Sequence, residues 1–202
     1  MDGTLSNSVP CIMKCSELVH KEMGIPWDAE KQLKSIGKPL YQCGQELVPD
    51  RVEEYLATTR RYNEKYLGEM IEPFPGVIEL LRDLHLAGVQ MCIATSRLKW
   101  GADLSCDKIG AAPYLKRIIG IEDTETHKPE PEPAQLALAT MGLEPDEAAF
   151  VGDSPVDINC GKNAGTDSIA VGWGVTAAEK LLAENPTYFC RTVDELRSIL
   201  LG

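Results

Sequence analysis

Asp153 and Asp157, in GDSPVDINCGKNAG, stand four residues apart. Two carboxylates that close repel unless a cation sits with them, and hard oxygen ligands with open positions suit magnesium. The glycine ahead of Asp153 permits a sharp turn that leaves the aspartate at a strand tip. A second reading stays open, in which Asp153 caps the next helix and Asp157 is a solvated first-turn acid. Lys128 lies in THKPEPEP, where prolines restrict the backbone and can aim a lysine at a phosphate oxygen or a carboxylate. The alternative is an exposed lysine, the usual fate of that residue. Thr95 and Ser96 end the apolar run VQMCIATS, and their hydroxyls and backbone N–H groups could hold phosphate or simply cap a helix. A cation site, a lysine and hydroxyl donors brought together would serve phosphoryl transfer, which needs positioning and charge neutralisation above all.

These residues act together only if the chain delivers them to one rim. From Ser8 to about Leu67 the signals are helical and no strand is evident. PCIMKCSELVHKEMG starts after Ser8 and stops at Gly24, and PDRVEEYLATTRRYNEKYLG is a second amphipathic run. After PFPG at 73–76 the texture changes to alternating strands and helices. VIELLRDLHLAG reads as a helix, and VQMCIATS, RIIGIED, AAFVGD, DSIAVGWG and TYFC read as strands. Helices are expected near 131–142, 155–164, 176–184 and 192–201. The alternation predicts an α/β fold, a Rossmann-like parallel sheet with helices on both faces. In such sheets ligands bind outside the carboxyl ends of the strands, where Thr95, Ser96, Lys128, Asp153 and Asp157 all fall.

The net charge of −11 over 202 residues argues against nucleic acid or an anionic membrane as partner, but not against a small anion held by a local cation. No run is long and apolar enough to span a membrane, and no signal-peptide pattern appears, so a cytoplasmic protein is expected. The seven cysteines are scattered and form no Cys-x-x-Cys pair, which speaks against a zinc site or a disulfide framework. Cys11 and Cys15 can share a helix face. Oligomeric state has no signature in the sequence.

MDGTL, IATS, KPEPEP and GDSPVD, in this order, resemble the four motifs of the haloacid dehalogenase superfamily of phosphohydrolases. EPFPGVIELL, KPEPEP and GDSPVDI with NAGT shortly after are similar to its phosphoglycolate phosphatase-like branch, which includes pyrophosphatases. The resemblance implies a core of residues 1–5 and 76–202 with an inserted helical cap at 6–75. It implies Asp2 as general acid and base, with its backbone carbonyl reaching magnesium, and Thr95 and Ser96 as holders of the phosphoryl oxygens. Lys128 would neutralise charge, and Asp153 would bind Mg2+ with Asp157 ligating or supporting it.

The cap should choose the substrate. Gly37 and Lys38, in SIGKPLYQ, are the residues expected to face the site, unless that loop is an ordinary turn. A small phosphomonoester like phosphoglycolate is expected as substrate through an aspartyl-phosphate, with inorganic pyrophosphate the alternative. One departure stands out. The nucleophilic aspartate belongs two residues before Asp2, a position this chain does not have, on a strand central to the family's sheet. The expectation is a natural protein with about ten more residues ahead of Met1. The other alternative is a non-catalytic protein that binds phosphate or a partner.

Overall fold

The computed structural model describes all of Met1–Gly202. Its helical half holds α1 (Val9–Met23), α2 (Ala29–Ser35), α3 (Leu40–Leu47) and α4 (Val52–Met70). Pro10 occupies the first turn of α1, where its missing N–H costs nothing. The helix ends at Gly24, whose φ of +68° is the left-handed cap that glycine adopts freely. Asp28 caps α2 by accepting a hydrogen bond from the Lys31 N–H at 3.1 Å. Cys11 and Cys15 do share the inner face of α1, with sulfurs 3.9 Å apart.

Two strands too short to read from sequence join the halves. β1 (Ser6–Asn7) and β2 (Glu72–Pro73) pair antiparallel, Ser6 opposite Pro73 and Asn7 opposite Glu72. Between Ser8 and about Leu67 the chain is helical as expected, and these two strands flank that stretch. A two-residue ladder has too few side chains for any alternation to show.

The other half runs α5 (Val77–Leu86), β3 (Cys92–Ala94), α6 (Lys99–Ile109), β4 (Arg117–Ile119), α7 (Glu132–Met141), β5 (Ala149–Gly152), α8 (Pro155–Ala164), β6 (Asp167–Val171), α9 (Ala178–Ala183), β7 (Tyr188–Cys190) and α10 (Val193–Leu201). Only α6 among these lacked a sequence signal. Its buried positions include Gly101, Ala102, Ser105 and Cys106, small residues that give little hydrophobic contrast. All the strand pairs in this half are parallel, β3 with β4 and β5 with β6 and β7. β3 and β5 each pair on one side only. Ala149 is accordingly exposed and Phe150 and Val151 partly so, whereas Ser168–Val171 of β6, paired on both sides, are buried.

One apolar cluster binds the halves together. Cys11, Cys15 and Leu67 of the helical half pack with Val77, Leu81, Ile93, Cys106 and Ile109. Val19, Met23, Cys43 and Tyr55 form a smaller cluster within the helical half. No helix is long and apolar enough to cross a membrane.

Candidate active site

The carboxyl ends of β3 and β5 open on one cavity of about 280 Å³. Asp2, Gly37, Lys38, Thr95, Ser96, Lys128, Asp153 and Asp157 all line it. Every candidate residue from the sequence is thus on its wall, although their spacing in the chain exceeds 150 residues from first to last. The chain start reaches the same place. Thr4 Oγ1 donates to Asp153 Oδ1 at 2.9 Å, and Trp173 Nε1 donates to the Thr4 carbonyl at 3.0 Å.

Asp153 sits just past β5 and Asp157 in the first turn of α8. Gly152 makes their approach possible: a Cβ there would fall 2.2 Å from the Asp157 Cβ. Gly3 and Gly174 do the same for Asp153, since a Cβ on either would lie within 2.4 Å of its carboxylate or Cβ. Burial and the neighbouring Asp157 charge both push the Asp153 carboxyl above its usual value. Lys128 Nζ donates to Asp157 Oδ1 at 2.6 Å, and Ser154 Oγ to Asp157 Oδ2 at 2.5 Å. Burial alone would raise Asp157, but the Lys128 ammonium outweighs it and holds the carboxyl below the usual range. The Lys128 ammonium is raised in turn, Asp157 prevailing over burial. The lysine is 9% exposed, so the inward aim, not the exposed alternative, is what the chain adopts. Its bond to Pro129 is cis.

Thr95 is buried, with its backbone N–H on the Ile119 carbonyl at 3.0 Å and its Oγ1 accepting from the Arg97 N–H at 3.2 Å. Thr95 therefore closes a turn around the loop that carries Ser96 and Arg97. Lys38, at the cavity mouth, is engaged by Glu46 at 2.9 Å in an exposed pair. Gly37 has a φ of +95°, which glycine alone adopts without strain.

Arg97 is the main residue that sequence reasoning missed. Its Nε donates to Asp2 Oδ2 at 3.0 Å and its Nη2 to Asp2 Oδ1 at 2.7 Å. Burial would raise Asp2, yet this guanidinium holds it far below the usual carboxylate range. The available signal was a basic residue two positions past Thr95, in ATSR. Thr4, Ser154 and Trp100 were missed as well, and no spacing marked them.

The three aspartates do not gather into one carboxylate cluster. Asp2 turns its carboxylate to Arg97, and its backbone carbonyl accepts no backbone hydrogen bond. Asp153 and Asp157 fit a hard dication in chemistry: two crowded carboxylate groups, one of them raised by the other's charge.

Residues 1–171 match the family model for haloacid dehalogenase-like hydrolases. The chain belongs to that family, as its four motif stretches indicated. Among its relatives is the pyrophosphatase PpaX of Halalkalibacterium halodurans, 32% identical over 99% of this chain and 94% of that protein. The pyrophosphatase PpaX of Bacillus velezensis is also 32% identical, over 98% and 93%. A solved haloacid dehalogenase-like hydrolase from Streptococcus pneumoniae superposes with a TM-score of 0.87 over 98% of this chain and 94% of its own, at 24% identity. A predicted phosphoglycolate phosphatase from Haemophilus somnus gives 0.89 over 98% and 94%, at 22% identity. These two likenesses speak for the fold.

Proposed function

We propose that this protein is a Mg2+-dependent phosphohydrolase of small anions, with inorganic pyrophosphate as its first substrate and phosphoglycolate as the second reading. The observation that carries the phosphohydrolase reading is the shared cavity wall of Thr95, Ser96, Lys128, Asp153 and Asp157 at the carboxyl ends of two parallel strands. A cavity of about 280 Å³ suits a small metabolite. The ranking of pyrophosphate first is supported by relatives named as pyrophosphatases along nearly the whole chain, which reverses the order expected from sequence.

Thr95 holds the phosphoryl oxygens by its hydroxyl, and Ser96 by its hydroxyl and backbone N–H. Lys128, fixed by Asp157, brings positive charge to the phosphoryl group without needing to move. Asp153 and Asp157, with the Asp2 carbonyl, would hold Mg2+, which when bound would neutralise charge on the transferring group. Asp2 is kept ionised by Arg97, the form that accepts a proton from an attacking water. Its other role, donating a proton to the leaving oxygen, requires that pair to loosen. The family resemblance implies a nucleophilic carboxylate two positions ahead of Asp2, a position these 202 residues do not include. Seven thiols, none of them in a disulfide, fit a reducing cytoplasm.

The test is phosphate release by the protein isolated from its own cells, with and without Mg2+, on pyrophosphate, phosphoglycolate and a hexose phosphate. Mg2+-dependent release from the first two, abolished by Asp153→Asn, is expected. Failure to hydrolyse any of the three would refute the reading. Turnover of phosphoglycolate with pyrophosphate left intact would install the second one.

A further inference from the structure

A guanidinium carries five N–H donors in a planar fork. Arg97 spends two of them, from Nε and Nη2, on the Asp2 carboxylate. Both N–H groups of Nη1 and the second of Nη2 have no protein partner, so the outer edge of the fork is free. The side chain is 13% exposed and lines the cavity. Gly101 leaves room for it, since a Cβ there would sit 3.2 Å from the Arg97 Cδ.

Two more donors on the same wall are buried without a hydrogen-bond partner, Trp100 Nε1 and Thr59 Oγ1. They come from opposite halves of the molecule, α6 and α4, and Arg60 of α4 stacks over the Trp100 ring at 5.1 Å. Buried donors normally have partners, and here a ligand acceptor could supply one. A half-free guanidinium on a cavity wall recognises planar or tetrahedral oxyanions by a two-point contact.

We infer that Arg97, with Trp100 Nε1 and Thr59 Oγ1, forms a second anion subsite. It receives the carboxylate or distal phosphoryl group of a substrate whose scissile phosphoryl group lies at Thr95 and Lys128. The inference rests on the phosphohydrolase reading and narrows its substrate class to phosphorylated compounds with a second negative group. Arg97 grips Asp2 with one edge and the leaving group with the other, so it also sets the leaving group beside Asp2.

Binding separates the two claims without needing turnover. Inorganic phosphate, phenyl phosphate, phosphoglycolate and pyrophosphate are titrated into the 202-residue chain with Mg2+ present, by calorimetry. Phosphoglycolate and pyrophosphate are expected to bind about tenfold or more tightly than phenyl phosphate, the value of one charge-assisted contact. Arg97→Met is expected to lose about tenfold more affinity for those two than for inorganic phosphate. Trp100→Phe, which keeps the Asp2 pair intact, is expected to shift the same two ligands in the same direction by a smaller factor. Equal affinity of the wild type for all the esters, or an equal loss across every ligand in both variants, would overturn the subsite and leave the phosphohydrolase reading in place. No binding of inorganic phosphate by any form would overturn both.

Discussion

Replacing Lys128 with methionine keeps most of the side-chain volume and removes the cation hydrogen-bonded to Asp157 at 2.6 Å. The two side chains are 9% and 10% exposed, so water cannot take the lysine's place cheaply. Breaking a buried pair by removing one partner costs about 3–5 kcal/mol, because a charge is left uncompensated. Ser154 keeps its hydrogen bond to Asp157 and offsets part of the loss, so the lower end, about 3 kcal/mol, is the better figure. In a chain of this size that lowers Tm by about 6–12 °C. The pH dependence gives the mechanism away. In the wild type the folded Asp157 carboxyl lies below its unfolded value of 3.8, so its contribution is complete above that value and lost as pH falls further. Without Lys128 the effect of burial is no longer outweighed and drives the Asp157 carboxyl upward, so the variant gains stability as pH falls toward 3.8. The gap between the proteins is therefore widest near neutrality and closes toward about pH 4. Thermal melts in EDTA from pH 4 to 8 measure it, and added Mg2+ should recover more of the variant's loss than it adds to the wild type. A loss under 2 °C at pH 7, or one constant across pH, would refute this account of the pair.

Gly152→Ala sets a Cβ 2.2 Å from that of Asp157, so the start of α8 must shift. A loss of about 1–3 kcal/mol in urea melts is expected, with weaker Mg2+ binding by titration; a silent variant would contradict the close approach. Leu67→Ala empties a fully buried position in the cluster that joins the two halves and should cost about 2–5 kcal/mol by denaturant unfolding. Thr4→Val removes the hydrogen bond to Asp153 and should cost about 1–2 kcal/mol while raising the Asp153 carboxyl further, followed by carbon-detected NMR titration. Lys38→Ala should change stability by less than about 1 kcal/mol, because its partner Glu46 is half exposed; a larger drop in a melt would give the exposed pair a structural role.

Much of the architecture could be read from the chain because its signals are local. Pro10 and Gly24 bracket α1, and the apolar spacing within α5 and the short β-rich runs before Thr95 and Asp153 mark elements within a few residues of their ends. A loop position after a strand in an α/β alternation also puts Thr95, Lys128 and Asp153 on one rim, since the common strand direction follows from the alternation. The helix α6 escaped because small buried residues leave no periodic contrast, and β1 and β2 because two residues make no pattern.

What the amino-acid order alone determined, then, was the fold class, the rim and the residue types on it. Which charge meets which was decided only by tertiary structure. Asp157 with Lys128, and Asp2 with Arg97, are pairs 29 and 95 residues apart, chosen by how strand tips converge. Any of the acids could have met either cation as far as spacing shows. Burial then turned those choices into different chemistry, holding Asp2 and Asp157 low and Asp153 high, because desolvation and a nearby charge are properties of a place in the fold.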